Sequence, residues 1–151
     1  KILEESIDKI IKNKIEDTIV CIENNVVEKK NFSSGNNKYI FSDLTDSYFI
    51  NKLIKNYNIK ILLDVGHLKV SSKTLKFDPY KFIDLYKGHI LIAHLSENTG
   101  VSDDGCIVRK DSWFWKCINW KNIKYISLEI KNADISILKE QIELTSKMIN
   151  L

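Results

Sequence analysis

Ile61-Leu62-Leu63-Asp64-Val65-Gly66-His67 is an apolar run that ends on metal-binding side chains, and the rest of the chain repeats its form. Three other stretches match it: Ile19-Val20-Cys21-Ile22-Glu23, Ile90-Leu91-Ile92-Ala93-His94 and Tyr125-Ile126-Ser127-Leu128-Glu129. Their closing residues lie about 30 to 40 positions apart, the period of a strand–helix repeat whose strand ends gather around one point. Three carboxylates and an imidazole form a hard-to-borderline ligand set, suited to Mn²⁺, Mg²⁺, Co²⁺ or Zn²⁺. Singly, each has a plainer reading. Glu23 reads as a surface carboxylate at a strand end, Asp64 as the cap of a turn with Gly66, and His94 as a satisfied core histidine. Glu129, between Leu128 and Ile130, would be costly to bury unpaired. One ion relieves the burial of all four, so the joint reading is a metal site of Glu23, Asp64, His94 and Glu129.

Outward from these runs the pattern alternates. Leu3, Ile7, Ile10 and Ile11 fall at helical spacing, which predicts a helix over 2–14. Strands are predicted over 18–23, 59–64, 89–95 and 124–130. Residues 28–41 are mostly polar, with a turn at 33–37. Ser42 has the character of an N-cap for a helix over 43–57. Asp78-Pro79 starts another helix that runs to about Tyr86 and stops at Gly88. Residues 96–110 form a long polar loop, of a length that is usually functional or disordered. Residues 111–120 read as a short aromatic helix, and 134–150 as a last helix with Ile135, Leu138, Ile142 and Met148 inward. Trp113, Phe114, Trp115 and Trp120 read first as a core face and second as a platform for a sugar ring. Apolar strands alternating with helices predict a single domain over 1–151, an α/β fold with a parallel sheet covered on both faces.

The composition excludes several classes. With 44% hydrophobic and 28% charged residues, the 151-residue chain has the balance of a soluble globular protein. A net charge of +3 does not argue for nucleic acid or membrane. Cys21, Cys106 and Cys117 are irregularly spaced and contain no C-x-x-C pair, so reduced thiols and a cytoplasmic location are expected. No stretch is apolar enough to span a bilayer. Lysines dominate the basic residues as part of a Lys/Asn/Ile bias. Arg109 is the one arginine, and it lies on the long loop.

Leu63-Asp64-Val65-Gly66-His67, His94-Leu95-Ser96-Glu97-Asn98 and Ser127-Leu128-Glu129-Ile130 resemble the last strands of the xylose-isomerase-like barrels. That superfamily holds sugar-phosphate isomerases/epimerases, ketose 3-epimerases, inosose dehydratases and AP endonucleases. The resemblance covers nearly the whole chain and implies the C-terminal half, strands five to eight, of a (β/α)8 TIM barrel. It implies the same metal ligands, Glu23, Asp64, His94 and Glu129, and a substrate contact at His67. Segment 98–105 and Ser112-Trp113-Phe114-Trp115 are similar to the seventh loop of the sugar-phosphate group. Two departures stand out. Asp103 is followed by Asp104 and Gly105 where many relatives have Asp-x-His, and Arg109-Lys110-Asp111 replaces a Gly-Glu-Gly. Both argue against a three-zinc DNA-repair site.

The resemblance implies a metal-dependent enzyme acting on a sugar or sugar phosphate. The ion would acidify a C–H beside a carbonyl, with Glu23 and Glu129 as the catalytic acid/base pair. His67 and Arg109 would bind substrate, Arg109 by a bidentate clamp. The alternatives are an AP-endonuclease-like phosphodiesterase, which needs more histidines, and a non-catalytic barrel. Half a barrel leaves two parallel edges exposed. Its expected partner is the missing N-terminal half, favoured because the chain opens on a helix without an initiator methionine, or else a second copy.

Overall fold

A computed structural model of the protein describes residues 2–34 and 47–150. The elements run α1 (Ile2–Asn13), β1 (Cys21–Glu23), α2 (Ser47–Tyr57), β2 (Lys60–Asp64), α3 (Val65–Leu75), α4 (Pro79–Tyr86), β3 (Ile90–Leu95), β4 (Tyr125–Leu128) and α5 (Ile135–Ile149), with short 3-10 turns at Lys29–Ser34 and Trp120–Asn122. The four strands form one sheet in the order β1-β2-β3-β4, and every neighbouring pair is parallel. All four predicted strands are present, each one to three residues shorter at one or both ends. The proposed cap at Ser42 lies outside the described residues, as does much of the turn at 33–37.

The strands divide their side chains between two unlike faces. Ile61, Leu63, Ala93 and Leu95 are buried and pack with Leu53, Leu68, Phe82, Ile83, Tyr86 and Phe114 in one core. On the opposite face the register aligns Glu23 with Leu62, Leu62 with Ile92, and Ile92 with Tyr125. The next row along is Asp64, His94 and Ser127. This face is only partly covered, and Tyr125 is 67% exposed. The expectation of a sheet covered on both faces is therefore corrected: among the described residues, helices pack on one face and the ligand candidates occupy the other.

Three local expectations also change. A helix that the sequence reading missed, α3, begins at Val65 directly after β2, with no loop between. Asp64 is its N-cap, accepting the His67 backbone N–H on Oδ1 at 2.7 Å. Gly66 makes the close packing possible, because a Cβ there would stand 2.6 Å from Ser96 Oγ. Residues 111–119 form turns instead of a helix, and two indole N–H groups bond carbonyls in and beside the segment. Trp115 Nε1 donates to Arg109 O at 2.6 Å and Trp120 Nε1 to Trp115 O at 2.8 Å. The core reading of the aromatic cluster holds for Phe114 and Trp115, which are buried. In α5, Ile135 and Ile142 point outward, while Gln141 and Thr145 are buried and Leu144 and Met148 pack on the core. Gln141 is drawn in because its Oε1 accepts the otherwise unpaired Val108 N–H at 2.7 Å.

Candidate metal centre

Asp64 stands at the middle of the site because it does two tasks with two oxygens. Oδ1 caps α3, while Oδ2 lies 3.9 Å from His94 Nδ1 and 3.8 Å from His67 Nε2. Glu23 Oε1 lies 3.8 Å from His94 Nδ1. One ligand atom each from Glu23, Asp64 and His94 fall within 4.8 Å of one another. Ligands about 2.1 Å from an ion are about 3.4 Å apart in a tetrahedral site and reach about 4.2 Å across an octahedral one. The three side chains thus fit a divalent ion with small rotations. Nδ1 of His94 is buried and has no aligned hydrogen bond among the described residues, as a nitrogen reserved for an ion would be.

Glu129 stands outside that trio. Its Oε1 is 2.7 Å from His94 Nδ1, a contact without hydrogen-bond alignment. The register explains the arrangement. Asp64 and His94 share one row, Glu23 belongs to the row before it, and Glu129 follows one row after Ser127. Two residues of strand span about 6.6 Å, so the outer two positions need the longer glutamate and the central one takes the shorter aspartate.

Asn24 sets the spacing between Glu23 and Asp64, and the sequence reading missed it. Its buried amide donates to Asp64 O at 2.9 Å and accepts from Asp64 N at 2.8 Å, extending the β1–β2 ladder by a side chain. Its own carbonyl lies 3.0 Å from His67 Nδ1. A carbonyl only accepts, so Nδ1 carries a hydrogen. The polar pair after Glu23 was the available signal. Asn24→Ala strips two partners from the buried Asp64 backbone and should cost about 1–3 kcal/mol of stability. Mn²⁺ affinity should fall about 10–100-fold, as for supports of a ligand. Denaturant unfolding and Mn²⁺ titration measure both, and an unchanged affinity would deny Asn24 this role.

Asp103 also reaches the site. Its Oδ2 is 3.8 Å from His67 Nε2. Its N–H donates to Glu28 Oε1 at 3.2 Å, and Lys131 holds both its carbonyl and its carboxylate. The long loop is therefore tied to the segments after β1 and after β4. Gly105 adopts φ +61°, and a Cβ there would lie 3.0 Å from Glu129 O, so this position contributes no ligand. Arg109 makes no ion pair with the trio and lines a groove with Lys69, Lys73 and Trp113.

Burial raises the Asp64 carboxyl from 3.8 to about 6. The charges of Glu129 and Asp103 add to the rise, while His67 opposes it through its ring and backbone N–H. The folded state therefore holds the Asp64 proton more tightly than the unfolded chain. Stability falls as pH rises from about 4 through about 6, and the loss is complete at neutral pH, at roughly 3 kcal/mol. Asp64→Asn keeps an N-capping oxygen and removes the charge. The metal-free variant should be more stable than wild type at pH 7 by up to that amount and no more stable below pH 4. Urea unfolding in chelator checks this; lower stability at pH 7 would refute the burial argument.

No known protein family, curated protein or solved structure matches this chain. Among the described residues, no helix is long and apolar enough to cross a membrane.

Proposed function

We propose that this chain belongs to a divalent-metal-dependent sugar or sugar-phosphate isomerase/epimerase that transfers a proton beside a carbonyl. The observation that carries the reading is the convergence of Glu23, Asp64 and His94 from the ends of β1, β2 and β3, with Glu129 against His94 after β4. An ion held there supplies a Lewis acid for a carbonyl and a neighbouring hydroxyl. Glu23 and Glu129 come from the two edge strands of the sheet, on either side of His94. One would remove the proton and the other return it from the opposite side. His67, with its Nδ1 hydrogen committed to Asn24, offers Nε2 to a substrate hydroxyl.

The same reading takes the four strands as strands five to eight of a xylose-isomerase-like (β/α)8 barrel. Its support is the all-parallel order with both edge strands unpaired among the described residues, and a ligand-bearing face that also carries Leu62, Ile92 and the exposed Tyr125. Four further strands would cover that face, from the N-terminal half of the barrel or from a second copy. The test is incubation of ketoses and their phosphates in D₂O with the full-length protein and Mn²⁺, following loss of the C–H signal by NMR. Metal-dependent exchange is expected.

A second reading, an AP-endonuclease-like phosphodiesterase, has one observation in its favour: His67 Nε2 is 3.8 Å from both Asp64 Oδ2 and Asp103 Oδ2, the beginnings of another ion site. Nicking of abasic-site DNA with no exchange of any carbonyl sugar would favour it. A metal-loaded, folded protein that does neither would be a non-catalytic barrel.

A further inference from the structure

Beside α3 lies a groove of about 380 Å³, lined by Lys69, Lys73, Thr99, Arg109, Ser112 and Trp113 among others. It is close to the ion centre. Asn98, also in its lining, places Nδ2 3.2 Å from the position a Gly66 Cβ would take, and Asp64 Oδ1 lies 3.2 Å from that same position. The lining carries three cations and two carboxylates, Glu97 and Asp111. Lys69 is committed to Glu97, Nζ to Oε2 at 2.5 Å. Lys73 and Arg109 have no carboxylate within ion-pair distance among the described residues, and Lys73 reaches only the Thr99 carbonyl, at 2.7 Å. Ser112 Oγ accepts the Arg109 N–H at 2.9 Å, which leaves its hydroxyl hydrogen free to donate. Trp113 forms an apolar wall, with Tyr80 edge-on at 5.7 Å.

We propose that this groove binds the phosphate of a phosphorylated sugar, Arg109 and Lys73 holding the phosphate oxygens and the Trp113 ring the apolar face of the sugar. A guanidinium fork with an ammonium and a hydroxyl suits a phosphomonoester, which presents three acceptor oxygens and a charge near two. The identity of the ligand as a sugar rests on the isomerase reading above, whereas the anion chemistry rests on the groove.

The test titrates the full-length protein at fixed ionic strength with inorganic phosphate, ribose 5-phosphate, ribose and a short single-stranded DNA. Each titration is run with Mn²⁺ and after chelator treatment, and the indole N–H signals are followed by NMR, with Trp113→Phe identifying the Trp113 signal. That N–H is buried and unpaired among the described residues, so it reports on its surroundings. Phosphate and ribose 5-phosphate should shift it saturably in both conditions, and ribose should not shift it without metal. Arg109→Gln and Lys73→Gln should each weaken binding on the order of tenfold or more, as expected for hydrogen bonds to charged groups. The proposal is overturned if neither phosphate gives a saturable shift, if the double variant binds as wild type does, or if DNA binds equally well. Phosphate binding by a protein that takes up no Mn²⁺ would uphold the groove and remove the isomerase reading. Mn²⁺ uptake without phosphate binding would do the reverse.

Discussion

Replacing His94 by alanine should leave the full-length protein with little bound divalent metal. His94 is the one neutral ligand of the trio, and its Nδ1 lies 3.8, 3.9 and 2.7 Å from carboxylate oxygens of Glu23, Asp64 and Glu129. Without it three carboxylates face one another, and their mutual repulsion spreads them or draws protons onto them. Loss of a direct ligand should exceed the 10–100-fold typical of supporting residues, so a drop in Mn²⁺ affinity of at least about 100-fold is expected. The fold should survive, because the histidine side chain lies on the partly covered face and makes no contribution to the core of Leu63, Leu95 and Phe114. Elemental analysis after dialysis and direct Mn²⁺ titration are the measurements. Equal metal content in variant and wild type would place the ion elsewhere.

Glu129→Gln should remove turnover while leaving much of the binding. Glutamine keeps the length and one carbonyl oxygen, so it can still approach His94, but it takes up no proton at neutral pH. General-base removal is worth about 10²–10⁴-fold in rate, and that loss should fall on kcat more than on KM. Glu129 stands outside the trio that lies within 4.8 Å, so Mn²⁺ affinity should fall less than in His94→Ala. Steady-state kinetics together with D₂O exchange separate these effects. A variant with unchanged exchange rate would take Glu129 out of proton transfer and leave it a contact of His94.

The two variants probe different layers of one site, and those layers come from register. The sequence reading treats Glu23, Asp64, His94 and Glu129 as equivalent strand ends. In the sheet they occupy three successive rows, with Asp64 and His94 paired directly. This stagger gives Asp64 and His94 the shared central position. It also has the edge glutamates reach inward from above and below, the arrangement on which the proposed proton transfer rests.

Much of this was legible in the chain itself. The strands show as apolar runs, the cap at Asp78 precedes its helix as the residue type requires, and the ligand candidates stand out because each is a polar residue closing an apolar run. Such signals are local, and backbone propensity and side-chain hydrophobicity act over a few residues. The rest depends on contacts between residues far apart in sequence. α3 was hidden because Gly66 reads as a turn; its first turn is held by the Asp64 cap and by Asn98 of the next repeat, whose Nδ2 donates to Gly66 O. Asp103 reaches His67 because Glu28 and Lys131, from the two ends of the sheet, hold its loop. Asn24 became a support for Asp64 once β1 and β2 were in register. Gln141 of α5 turns inward to accept the Val108 N–H, a contact that no periodicity in the helix records. Hydrophobic pattern therefore determined which elements form and in what order, while long-range register and the demand to pair every buried polar group determined where the side chains of the site meet.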